Sequence, residues 1–151
     1  MASEDSREVF RLLRLAQDKY VYFLLAAAGA AIGLAVNQTH EAALSRSQIA
    51  LAGAVVCWGF SFYFGCRHLA YVSSTLYANH ELLKVEDGQH PQVGGHPQLM
   101  QAASEGIRLA INDNSERANR LGHMQFRFLL AGALLYLLWH VIEMWRRGVV
   151  S

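Results

Sequence analysis

The apolar residues of this chain are concentrated in three long segments that carry almost no charge. Segments 20–39 and 47–66 contain no Asp, Glu, Lys, Arg or His, and segment 128–142 contains only His140. A helix needs about 20 apolar residues to cross about 30 Å of hydrocarbon. The pattern therefore predicts an all-α membrane protein with three transmembrane helices, at 20–37, 47–66 and 126–146.

The first two segments also lack the polar stripe that a core helix of a water-soluble protein carries at the helical period. Composition agrees, since 53% of the 151 residues are hydrophobic and only 17% are charged, against about 25% charged residues in soluble domains. Such a surplus in a chain of one-domain length needs a lipid bilayer as a second solvent. The net charge of +1 argues against a nucleic-acid surface, so we expect no nucleic-acid partner.

The loops carry unequal numbers of basic residues, which sets the expected orientation. All but three of the 13 Lys and Arg residues lie in segments 1–19 and 67–127, on one side of a three-span protein. Because cytoplasmic loops carry the excess of Lys and Arg, we expect a bacterial inner-membrane protein with its N-terminus in the cytoplasm and its C-terminus outside. Cys57 and Cys66 fall within the second span, so no disulfide framework is predicted.

Outside the spans, the chain divides into four further segments. They are a short N-terminal amphipathic helix at 1–19, an outer loop at 38–46, a cytoplasmic segment at 67–125 and an outer tail at 147–151. The N-terminal helix places Val9, Leu12, Leu13 and Ala16 on one face. It either lies on the inner membrane surface or runs directly into the first span, and the alternative is that it acts as a sensor of the membrane surface.

The cytoplasmic segment predicts an antiparallel helical hairpin that extends the second and third spans. Two rows of residues have the spacings of three and four that are typical of a coiled coil, and in the first row the two spacings alternate strictly. Asn79 and Asn114 in these rows either fix the register of a buried seam or face water. The rows are Leu69, Val72, Leu76, Asn79 and Leu83 before the break, and Met100, Ala103, Ile107, Ile111, Asn114, Ala118 and Leu121 after it.

A tip loop at 87–98 contains a small internal repeat, Gly-x-His-Pro-Gln, at 88–92 and again at 94–98. Glycine and proline predict a loop at this point. His90 and His96 are candidates for contact with a cytoplasmic protein partner. Two histidines without cysteine or defined further ligands are a weak metal signal, so we predict no metal site and no cofactor.

Small residues form one face on each of the first two spans. Gly29 and Gly33 give the first span the Gly-x-x-x-Gly pattern that lets two helix backbones approach closely. One such face can be used within the chain, so the other is a candidate seam of a homo-oligomer, and the sequence leaves open which is which. The second span has a ladder of small residues, each four apart, at Gly53, Cys57, Ser61 and Gly65.

The third span carries a polar stripe formed by Tyr136, His140, Glu143 and Arg147, which share one helix face. Ionisable residues within a membrane are functional candidates by default, here as the lining of a pore mouth. The alternative is an interfacial polar cluster in which Glu143 pairs with Arg147. The second span adds an aromatic group that forms either an interfacial belt or a hydrophobic gate, at Trp58, Phe60, Phe62, Tyr63 and Phe64.

No convincing catalytic motif is present, and we expect the protein not to be an enzyme. The spacing of Arg117 and His123 is similar to that of HEPN ribonucleases, although Ala118 stands where those proteins usually have a polar residue. The favoured hypothesis is a small membrane protein that homo-oligomerises and forms or gates a pore. The alternative is a membrane anchor whose cytoplasmic hairpin binds or senses a partner protein, and a membrane-bound ribonuclease is a remote third.

Overall fold

The structure, a computed structural model, describes residues 2–39 and 48–150. Within these ranges the chain is helical and has no strand, which confirms the all-helical prediction. Most of the predicted outer loop 38–46 lies outside the described residues. The helices, of 38, 39 and 54 residues, are α1 at Ala2–Thr39, α2 at Gln48–Glu86 and α3 at Pro97–Val150. Each has a window long and apolar enough to cross a membrane, within Arg11–Gln38, Gln48–Glu86 and Pro97–Arg146.

All three helices extend beyond the predicted spans. α1 contains the N-terminal amphipathic segment and the first span in one helix, as in the second of the two arrangements considered. α3 passes through Gly122 without a break and continues to Val150, through most of the predicted outer tail. One glycine costs a helix about 1 kcal/mol, which is too little to end a helix of 54 residues.

Contacts divide the chain into two compact units. The first comprises Met1–Gly65 and Met124–Ser151, and the second comprises Cys66–His123. In the first unit all three helices pack around a core of Ala35, Leu51, Ala54 and Trp58. The two alanines let the helix backbones approach closely, and the large indole fills the space that they leave.

The outer surface of the first unit carries many apolar side chains. Its exposed side chains come from all three helices, and many are more than half exposed. A water-soluble bundle avoids contiguous apolar surface of this kind because each Å² left in water forgoes about 25 cal/mol. Examples are Phe23, Leu34, Ile49, Val56, Leu134, Leu137, Val141, Met144 and Trp145.

In the second unit, α2 and α3 pack against each other along their length. His68 contacts the Ala118 carbonyl, and Arg108 donates to Glu86 at the other end of α2. Residues later in α2 thus contact residues earlier in α3, as expected for antiparallel helices. The predicted α3 row is confirmed, because Met100, Ala103, Ile107, Ile111, Asn114, Ala118 and Leu121 are all half-buried or buried.

The predicted α2 row is wrong in its second half. Leu69 and Val72 are half-buried, but Leu76, Asn79 and Leu83 are exposed, whereas Leu82 and Val85 are buried. The row that packs against α3 also has the spacing of three and four. It begins with polar side chains, so the pattern of apolar residues in the sequence indicates the adjacent row instead. Its members are His68, Tyr71, Thr75, Ala78, Leu82 and Val85. Asn79 faces outwards, while Asn114 donates to the Ser74 hydroxyl over 3.2 Å.

The tip loop begins after Glu86, where Gly88 and Gln89 cap the end of α2. The Gly88 amide donates to the Val85 carbonyl and the Gln89 amide donates to the Lys84 carbonyl. This pair of bonds is a Schellman motif, in which the residue after the cap adopts a left-handed conformation. Gly88 has a φ of 68° and is therefore suited to this position. α3 then starts with Pro97, whose missing amide hydrogen costs nothing in a first turn.

Candidate functional site

The small-residue ladder of α2 is occupied within the chain. A Cβ added at Gly53 would lie 3.4 Å from Leu135 Cδ1. At Gly65 a Cβ would lie 2.5 Å from Gln125 Nε2 and 2.7 Å from Leu25 Cδ2, distances that no real Cβ tolerates. Cys57 is half-buried and Ser61 is buried between them. This face is therefore a packing surface between helices of one protomer.

The corresponding face of α1 is open. Gly29 and Gly33 are exposed, and a Cβ added at either one would meet no atom within 4 Å. Ala26 and Ala30 on the same side of the helix are exposed as well. The two small-residue faces, which have the same pattern in the sequence, thus have opposite environments in the structure.

Two side chains of α2 donate hydrogen bonds to the backbone of α3. The Ser61 hydroxyl donates to the Gln125 carbonyl over 2.8 Å, and the Trp58 indole donates to the Leu129 carbonyl over 3.3 Å. A Cβ at Gly132 would lie 2.5 Å from Trp58 Nε1, so this glycine makes room for the indole. These bonds hold α2 and α3 together by polar contacts as well as by packing.

The Gln125 side chain is a feature that the sequence analysis missed. It is fully buried, and neither Nε2 nor Oε1 has a hydrogen-bond partner in the described part of the chain. Leaving a buried amide unsatisfied costs about 1–3 kcal/mol. The signal in the sequence was slight, since Gln125 is one polar residue next to the predicted start of the third span.

The residues of the polar stripe of α3 have different environments. The Tyr136 hydroxyl donates to Gln38 over 3.1 Å, and its ring lies against Trp58 and Trp139 at centroid distances of 5.7 and 5.6 Å. His140 is exposed. Tyr136 is thus used for contact with α1 and α2, a partnership that helical spacing along α3 alone does not reveal.

The remaining members of the stripe lie near the end of α3. Arg146 donates to half-buried Glu143 over 3.4 Å. The side chain of Arg147 lies outside the described part of the chain, so the predicted pairing of Glu143 with Arg147 stays a prediction.

The aromatic group of α2 is extended by Phe128 of α3. The Phe128 ring lies 5.5 Å from Phe60 and 5.4 Å from Phe64 between centroids. Tyr63 contacts Phe64 edge-on at 5.6 Å, and Phe62 is exposed. Pairs with these tilted geometries add about 0.5–1.5 kcal/mol beyond the area that they bury. Both interpretations of the group, as a belt and as a gate, stay predictions.

The two histidines of the tip repeat have different environments. His90 Nε2 lies 3.6 Å from Glu81 Oε2, and His90 Nδ1 accepts a hydrogen bond from the Gln92 amide. The hydrogen bond from Lys84 is the main cause that lowers the pKa of Glu81. His96 is exposed. Among the described residues, no group of three or more His, Cys, Asp or Glu is placed to hold a metal ion.

A further polar group, which we call the Arg67–Tyr71–Arg117 cluster, joins α2 and α3 in the second unit. Arg67 donates to the Tyr71 hydroxyl over 3.3 Å, and its guanidinium carbon lies 5.3 Å from the centre of that ring. Arg117 donates to Asp113 over 3.0 Å. Hydrogen bonds to Asp113 and then to Tyr71 raise the pKa of Arg117. The cluster thus has one guanidinium group on the Tyr71 phenol and a second on the facing helix, paired with Asp113.

Comparisons with known proteins add no relative to this picture. No family model, no curated protein and no solved structure matches the chain.

Proposed function

We propose that this protein is held in a bacterial inner membrane by its three helices and works as a homo-oligomer whose copies together form or gate a pore. The membrane part of the proposal is supported by the exposed apolar surface of the first unit. Lipid tails would cover such a surface without the penalty that water imposes. A three-span chain cannot surround a channel alone, so a pore requires several copies.

The observation that carries the proposal is the contrast between the two small-residue faces. The α2 ladder is filled by residues of the same protomer, whereas Gly29 and Gly33 of α1 meet nothing within 4 Å. In lipid, helices associate through close packing of small residues rather than through the hydrophobic effect. A flat Gly-x-x-x-Gly face is complementary to itself, so a second copy of this chain is its natural occupant.

Native mass spectrometry of the detergent-solubilised protein tests this assembly. The unchanged chain is expected to be oligomeric, and the double variant Gly29→Leu, Gly33→Leu is expected to be monomeric because two large side chains hold the backbones apart. Gly59→Leu is the matched control, since Gly59 is also exposed with open space around its Cα. A monomeric unchanged chain, or an effect of Gly59→Leu as large as that of the double variant, contradicts the proposal.

The pore itself is supported by the surroundings of His140. This residue is exposed on α3 beside the Trp139 ring, at a centroid distance of 6.3 Å. In an oligomer, a ring of such side chains would line a mouth whose selectivity depends on their charge. Planar-bilayer recording is expected to detect a conductance that His140→Ala alters and Leu138→Ala does not. Absence of conductance from an intact oligomer contradicts the pore but not the assembly.

The second candidate function is a membrane anchor that binds a helical partner protein in the cytoplasm. It is favoured by Tyr77 and Leu109 of the second unit, which are 69% and 65% exposed outside the predicted spans. Water rather than lipid would face them there, so both side chains are available for contact with a partner protein. Deletion of residues 88–97 is expected to abolish complementation of a gene deletion while membrane insertion persists. A deletion without effect excludes the tip as the partner site.

A further inference from the structure

The Arg67–Tyr71–Arg117 cluster has the geometry of an anion site. The Tyr71 hydroxyl receives a hydrogen bond from Arg67 of α2, and Tyr71 also helps to raise the pKa of Arg117 on α3. The ring lies under the Arg67 guanidinium, and Arg117 is held by its hydrogen bond to Asp113, so both arginines have a defined position before any ligand arrives. Pre-organised guanidinium groups lose less entropy when they bind, which is why arginine is preferred at phosphate sites.

The charges around the cluster leave a small positive excess. Segment 66–79 contains Arg67 and no Asp or Glu, and on α3 Arg117 and Arg120 stand beside Asp113 and Glu116. Asp113 is the carboxylate that contacts the cluster, and it binds only Nε of Arg117 in the described structure. The other N–H groups of Arg117 remain available to a ligand, since the side chain is 57% exposed. A net positive charge is left for an anion to neutralise.

The place of the cluster along the chain suggests which anion this is. Arg67 directly follows the uncharged segment 47–66. The 2.7 Å contact of His68 with the Ala118 carbonyl sets Arg117 at the same level of the helix pair. If the proposed membrane function holds, on which this inference rests, both guanidinium groups lie where the headgroups of the inner leaflet begin.

We propose that Arg67, Tyr71 and Arg117 bind the phosphate of an anionic phospholipid headgroup. The two guanidinium groups each donate to phosphate oxygens, and the Tyr71 hydroxyl, which accepts from Arg67, can donate its own proton to a third. Phosphatidylglycerol offers this phosphate with a net negative charge. Phosphatidylcholine offers the same phosphate with a compensating cation, which the local positive charge disfavours.

Native mass spectrometry of the full chain, titrated with phosphatidylglycerol or phosphatidylcholine in detergent, tests the site. The unchanged protein is expected to bind phosphatidylglycerol more tightly than phosphatidylcholine. Arg67→Gln and Arg117→Gln are each expected to weaken phosphatidylglycerol binding about fivefold, the effect of one basic residue near an anionic surface. Arg108→Gln is the matched control, because Arg108 is an exposed arginine of the same unit that pairs with Glu86 at the far end of α2.

Two further measurements separate the possible failures. Equal weakening by Arg108→Gln, or no weakening by either cluster variant, overturns the site. Displacement of the lipid by millimolar inorganic phosphate shows a site for free phosphate and overturns the lipid assignment. Flotation with phosphatidylcholine vesicles is expected for every variant, because insertion depends on the apolar segments. A chain that floats and lacks lipid preference refutes only the site, whereas a chain that does not float refutes the membrane function.

Discussion

At the scale of single residues, Gln125 is the side chain whose surroundings conflict most with its chemistry. Its amide is fully buried against Gly65 and Leu25, and neither polar atom has a partner among the described residues. Methionine has a similar length and no strong hydrogen-bonding group, so Gln125→Met removes the penalty at little cost in packing. We expect the free energy of unfolding to rise by about 1–2 kcal/mol, measured by denaturant unfolding in detergent.

The matched control for this change is Gln101→Met, because Gln101 is exposed on the same helix. Its amide is free to bond with solvent, and the substitution should alter stability by less than about 0.5 kcal/mol. A Gln125→Met variant that is less stable than the unchanged chain would show that the amide has a partner in the folded protein. Such a partner would turn Gln125 from a cost into a second hydrogen bond beside that of Ser61.

At the scale of elements, the sequence predicted the helices well and one of their contact rows badly. Long uncharged apolar segments predict helices reliably. A backbone that lies in lipid must satisfy its hydrogen bonds internally, and an α-helix does so within one segment. The α3 row was found because its members are mostly apolar. The α2 row was missed because His68 and Tyr71 belong to it, and the His68 ring is matched by the Ala118 carbonyl of α3, a partner that no single helix reveals.

The end of α2 gives a prediction at this scale. Gly88 has a φ of 68°, a conformation that costs an L-residue about 1 kcal/mol or more. Gly88→Ala should therefore lower the free energy of unfolding by about 1 kcal/mol and speed hydrogen exchange of the Gly88 and Gln89 amides. Gly95→Ala is the control, because Gly95 lies in the same loop without a positive φ and with open space around it. Equal effects of the two changes would mean that the Schellman motif does not stabilise the helix end.

At the scale of the whole molecule, the candidate site could be predicted only as a set of alternatives. Gly29 with Gly33 and the ladder from Gly53 to Gly65 have the same pattern of small residues. Nothing in the sequence indicates which of the two faces packs within the chain. The choice depends on bulky neighbours that come from elsewhere in the chain, namely Leu25, Gln125 and Leu135, which fill the α2 face. A pattern along one helix carries no information about its contacts with segments that are distant in sequence.

The expected orientation of the chain in the membrane is also a property of the whole molecule, because it is set by the Lys and Arg residues of all the loops together. In the proposed topology, three crossings put the two ends on opposite sides, and all but three of the 13 Lys and Arg residues fall on the side of the N-terminus. We therefore expect a tag at the N-terminus to be protected from external protease in spheroplasts, and a tag at the C-terminus to be cleaved. Replacing Arg146 and Arg147 with serine should leave this pattern unchanged, since these two arginines oppose it. Equal protection of both tags would require an even number of crossings and would exclude the three-span topology.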